Sequence, residues 1–148
     1  MKQSFLILTI LISFYCSAQS ETESKKFDLK SYIGFACSAT GSKTKAVKTF
    51  SSLVKEKKFS KIKKKLFSEN NGDKFLSAVI CERLEMKNLI VLNENEKKQI
   101  AKIKQSKEEI TICSGCLYQD KISIKELFEK SEKNILSSEI ENWLTKII

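Results

Sequence analysis

Residues 111–118 read TICSGCLY, and Cys113 and Cys116 within them are the only two cysteines of the chain placed within one turn of each other. A Cys-x-x-Cys pair serves one of three chemistries: a dithiol redox centre, half of a zinc site, or an anchor for structural disulfides. The rest of the composition weighs them. The chain contains no histidine and no proline. Without histidine there is no Ser-His-Asp or Cys-His nucleophile system and no His-containing zinc site. Leu117 follows Cys116, which also removes the Cys-x-x-Cys-His haem attachment. A thioredoxin-like centre needs a strand–helix setting and a facing cis-proline, and a chain without proline cannot supply the second. A Cys₄ zinc site would need Cys37 and Cys81 to converge on the pair, although they lie 44 residues apart with no second Cys-x-x-Cys. No metal and no cofactor is expected, and redox chemistry at Cys113 and Cys116 is the one enzymatic alternative.

The compartment follows from the first eighteen residues. Lys2 gives a positive start, Phe5 to Phe14 (FLILTILISF) is a ten-residue apolar run, and small residues stand at Cys16 and Ala18. This is the pattern of a secretory signal peptide cleaved after Ala18; a membrane-spanning helix needs about 20 apolar residues. Anchoring as a lipoprotein through Cys16 is disfavoured, because bulky Phe14 and Tyr15 sit where such signals carry small residues. The expected product is exported, periplasmic or secreted, with residues 19–30 as a polar leader and 31–148 as one domain. In that compartment an even set of four cysteines, Cys37, Cys81, Cys113 and Cys116, reads as disulfide candidates. Cys37 is expected to join Cys113 or Cys116, with Cys81 either bonded to the remaining partner or packed as a free thiol in a buried helix.

Helical periodicity dominates the elements that must hold these residues. Val47, Phe50, Leu53, Val54, Phe59, Ile62, Leu66 and Phe67 recur at steps of three and four, which predicts two helices between Lys43 and Phe67 with a break near Lys57. Phe50, Phe59 and Phe67 sit at core spacing and are expected inside rather than at a lipid interface. After Asn70-Asn71-Gly72 comes a segment apolar almost all round, from Phe75 to Met86, which predicts a buried helix. Leu89 to Leu92 form a short connection, and Asn93 with Glu96, Ser123 with Glu126 and Ser138 with Glu141 read as capping boxes for three further helices. Residues 31–41 (SYIGFACSATG) read as a short strand or loop packed onto the core, and Ile110 to Cys113 as a short strand. The expectation is an all-α domain of six short helices in antiparallel pairs, with room for one small β-hairpin around the CSGC turn. Over residues 49–104 the pattern resembles a HEAT-type helical repeat pair, a resemblance that implies a binding scaffold rather than catalysis.

Charge singles out one segment. The chain carries net +9, and residues 43–67 alone hold ten lysines against Glu56, whereas residues 68–148 are close to neutral. Arg83 is the only arginine. Nucleic-acid recognition favours the guanidinium fork, and export separates the chain from nucleic acid in any case. The expected function is an exported, non-enzymatic binding module whose lysine-rich face, Lys55, Lys57, Lys58, Lys61, Lys63, Lys64 and Lys65, meets an anionic envelope component or an acidic protein. Against this stands the plainer view of a solvated helix face that keeps an exported protein soluble.

Overall fold

A computed structural model of the chain describes residues 32–37, 39–115, 118–129 and 135–148. The expected signal peptide, the leader and Cys116 lie outside these residues. In chain order the elements are β1 (Tyr32–Cys37), α1 (Lys45–Lys55), α2 (Phe59–Lys65), α3 (Asn71–Met86), α4 (Glu94–Lys104), β2 (Glu109–Gly115), β3 (Tyr118–Ser123), α5 (Ile124–Glu129) and α6 (Ile135–Ile147). The all-α expectation is therefore corrected: among the described residues six helices are joined by a three-stranded mixed sheet of order β1-β2-β3. β2 and β3 form an antiparallel pair around the CSGC segment, but β1 adds to β2 in parallel, with Tyr32 opposite Thr111 and Gly34 opposite Cys113. A parallel pair cannot be closed by a tight turn, so α1 to α4 form the long crossover between its two strands.

The local reasons for each element are visible in the residues. The break between α1 and α2 falls at Lys57, whose φ of +53° places it in the left-handed region. Lys57 N–H donates to Val54 O and Lys58 N–H to Leu53 O, the pair of bonds that ends a helix in a Schellman motif. Asn88, at φ +57°, closes α3 in the same manner. Asn70 caps α3 by accepting from Asp73 N–H at 2.9 Å, and Asn93 and Glu96 form a reciprocal capping box on α4. Ser123 and Glu126 share hydrogen bonds at the start of α5. The Ser138–Glu141 box is corrected, since α6 already begins at Ile135 and Ser138 lies inside it.

α3 is the central helix, with Phe75, Leu76, Ala78, Ile80, Cys81 and Leu84 all buried. Four consecutive residues of β2, Ile110 to Cys113, are buried as well, so the middle strand is covered on both faces. Helix α6 reaches the sheet through Trp143, whose ring lies 5.2 Å from Phe35 on β1. The indole Nε1–H donates to Ser51 Oγ on α1 at 2.8 Å, and that hydroxyl donates onward to Val47 O at 2.7 Å. This polar thread joins α6 to α1. The outer edge of β1 is closed by its own chain: Thr44 N–H donates to Gly34 O, and Cys37 and Ser42 exchange backbone bonds.

Gly34 is confined by this arrangement. A Cβ there would stand 2.7 Å from Cys113 O and would overlap Cys37 Sγ. Gly34→Ala is expected to cost about 1–3 kcal/mol, the range of overpacked cores. A thermal unfolding curve is the check, and an unchanged midpoint would mean that β1 and β2 are not packed as described.

Candidate functional site

The cysteines separate into two environments. Cys37 and Cys113 stand at disulfide distance, with their Cα atoms 5.6 Å apart across a sequence separation of 76. Both are buried, at 8% and 2% exposure. Of the pairings left open by the sequence, this is the one the structure contains. Cys81 is a free thiol at the centre of α3. Burial pushes its pKa up to about 12, with the charges of Glu96, Glu82 and Glu85 adding to the effect and Lys63 opposing it. A thiol held in that state is not a nucleophile at neutral pH. Among the described residues no group of three or more His, Cys, Asp or Glu side chains is placed to hold a metal ion.

The seven lysines proposed from the sequence fall into three sets. Lys63 and Lys65 turn toward the body of the domain. Lys63 Nζ lies 2.8 Å from Glu96 Oε2 on α4 and donates to Val91 O at 3.0 Å. Lys65 Nζ lies 2.6 Å from Asp73 Oδ2 on α3 and 5.5 Å above the Phe50 ring. These two side chains fasten α2 to α4, to the α3–α4 connection and to α3. Lys58 pairs with Glu56 in the turn, and the Lys58 hydrogen bond and charge hold the Glu56 carboxyl below its ordinary range. Lys55, Lys57, Lys61 and Lys64 are exposed and make no ion pair among the described residues.

Helix geometry extends the exposed set. On α1, Val47, Phe50 and Val54 face inward while Lys45, Lys48, Ser52 and Lys55 are exposed. Their steps of three and four line them along one stripe. On α2 the same division puts Ile62 inside and Lys61 and Lys64 outside. Sequence counting could locate the surplus charge but not divide it, because Lys63 and Lys65 differ from their neighbours only in the carboxylates that tertiary packing brings to them.

Two further features were not legible at first reading. Phe67, expected inside, is 50% exposed, whereas Phe50 is fully buried. Leu89 and Val91 of the α3–α4 connection are 50% and 84% exposed. A usable signal was present for the second: four apolar residues between the helix-ending Asn88 and the helix-capping Asn93 have too little chain to turn every side chain inward.

No protein-family model, no curated protein and no solved structure matches this chain. The HEAT-type resemblance of residues 49–104 therefore stands on pattern alone. The described residues form a domain of mixed helices and sheet in which Cys37 and Cys113 stand at disulfide distance. No described helix is long and apolar enough to cross a membrane, and both this and the disulfide are compatible with an exported protein.

Glu96 gives the site a pH dependence. Burial acts to raise its pKa, but the Lys63 hydrogen bond, the Asn93 backbone N–H and the Lys63 charge outweigh burial and hold it below the ordinary value of 4.5. A carboxyl depressed in the folded state adds stability above its unfolded pKa and loses it as pH falls through the folded one. Thermal stability is thus expected to decline as pH drops below about 4.5, with a shallower decline in Glu96→Gln. Identical pH profiles for the two proteins would remove the Lys63–Glu96 pair from the account.

Proposed function

We propose that this chain is an exported, non-enzymatic binding module, closed by the Cys37–Cys113 disulfide, whose α1–α2 hairpin presents a lysine face to an anionic partner. One observation carries the reading: Lys55, Lys57, Lys61 and Lys64 stand in solvent without a counter-ion among the described residues, continued along α1 by Lys45 and Lys48. A lone solvated lysine is ordinary. Six exposed lysines along two consecutive helices and the turn between them, with Glu56 as the sole acid of the segment and already bound to Lys58, create a local potential that attracts anions. Lys57 adds to the case, because it occupies a left-handed position that glycine or asparagine adopts at lower cost.

Export is supported by the disulfide and by the signal-like opening residues. The alternative, dithiol redox catalysis through Cys113 and Cys116, draws less support. Cys113 is buried and joined to Cys37 across the sheet, whereas a redox dithiol must expose its attacking sulfur to substrate.

The test compares wild type with Lys55→Gln, Lys57→Gln, Lys61→Gln, Lys64→Gln for binding to dextran sulfate, a soluble polyanion. Each exposed lysine acts over a Debye length of about 8–10 Å, so wild-type binding should weaken steeply as salt is added. The fourfold variant should bind at least about tenfold more weakly at low salt while unfolding at the wild-type temperature. Equal binding by both proteins would return the segment to a solvated helix face.

A further inference from the structure

We infer that the anionic partner is a lipid bilayer surface, met by the exposed α3–α4 connection together with the outer lysines of α2. The inference rests on the anion-binding reading above and names the partner class. Its first support is the distribution of exposed apolar side chains. Among the described residues four large hydrophobics are exposed: Phe67, Met86, Leu89 and Val91. Leu89 and Val91 stand two residues apart in the α3–α4 connection, whereas Met86 ends α3 beside Leu127, Phe128 and Ile140, and Phe67 lies two residues beyond α2. Scattered apolar side chains on a surface mean little, but clustered ones mark a contact.

The second support is the placement of that cluster beside positive charge. The Lys63 ammonium donates to Val91 O at 3.0 Å and pairs with Glu96 in the first turn of α4. This clamp holds the connection against α2 with the Val91 side chain left in solvent. Lys61 and Lys64 project from the outer side of α2, and Lys87 stands between Met86 and Leu89, all three exposed. Glu85, which accepts from Leu92 N–H, and Glu96 are paired with Lys97 and Lys63, which leaves exposed Glu94 against exposed Lys61, Lys64 and Lys87.

Aliphatic tips ringed by lysine are what an anionic bilayer selects. Leu and Val side chains enter the boundary between headgroups and acyl chains, and ammonium groups remain at the level of the lipid phosphates. A soluble polyanion would use the lysines and leave Leu89 and Val91 idle. The left-handed Asn88 turn and the Asn93 cap fix both ends of the connection, so little order is lost on contact.

The experiment is co-sedimentation of the whole protein with vesicles of phosphatidylcholine alone and of equimolar phosphatidylcholine and phosphatidylglycerol. Wild type is expected to bind the anionic vesicles and not the neutral ones. Leu89→Ser, Val91→Ser should weaken vesicle binding about tenfold, from the apolar area no longer buried, and leave dextran sulfate binding unchanged. Lys61→Gln, Lys64→Gln should weaken both, by about fivefold per lysine on vesicles. Val91→Trp supplies a direct readout, since Trp143 is buried and gives a constant background. Its emission should shift to the blue with anionic vesicles and stay unshifted with dextran sulfate. Wild-type vesicle binding by the serine variant, or an unshifted tryptophan, would overturn the bilayer while leaving the anion-binding reading intact. Binding to dextran sulfate without binding to vesicles would do the same and point to a polymer or an acidic protein. Failure to bind either would end both.

Discussion

Parallel pairing of β1 with β2, which brings Cys37 and Cys113 to disulfide distance, is the constraint on which the remaining structure depends. The two strands are separated by the whole of α1 to α4, and bringing them together closes a loop with a separation of 76 residues. Without a covalent tie, strand hydrogen bonds and apolar contacts alone must offset that loss of chain entropy. With it, the unfolded chain is already restricted, by about 4 kcal/mol in the loop-entropy treatment. Gly34 shows how closely the two strands fit, because the space a methyl group would need is filled by Cys37 and by the Cys113 carbonyl.

From that closure the helices take their places. α1 follows β1 directly and is held to it through the Thr44–Gly34 backbone bond, and its buried stripe meets α6 through the Ser51–Trp143 hydrogen bond. α3 fills the centre. α2 is too short to be stable by itself, and two of its lysines secure it to neighbouring elements through Glu96 and Asp73. A helix that is half lysine is thereby divided by function. Its inward ammonium groups fix the surface, and its outward ones remain available to an anion.

The helices were the legible part of the fold. Val47, Phe50, Val54 and Ile62 recur with helical spacing, Asn93 with Glu96 and Ser123 with Glu126 announce their caps, and the all-round apolar character of the α3 segment marks it as buried. What stayed hidden was pairing. YIGFAC lacks a clean alternation, because a bulge between Gly34 and Ala36 interrupts its register, and nothing local to it names a partner strand beyond four helices. β3, with Gln119, Asp120 and Lys121 in six residues, carries a polar pattern that hardly reads as strand. In the candidate site the lysine surplus and the cysteine set were visible as residue types. Their roles were not, since a free lysine and a clamped one differ only in what folding places beside them.

Covalent closure of β1 on β2 is tested by peptide mapping of the unreduced protein, joined to denaturant unfolding with and without reductant. The account predicts a Cys37–Cys113 crosslink and a Cys81 thiol that reacts only after unfolding. It also predicts a stability loss of about 4 kcal/mol on reduction. A Cys113–Cys116 crosslink, or free thiols at Cys37 and Cys113 in the folded protein, would contradict it.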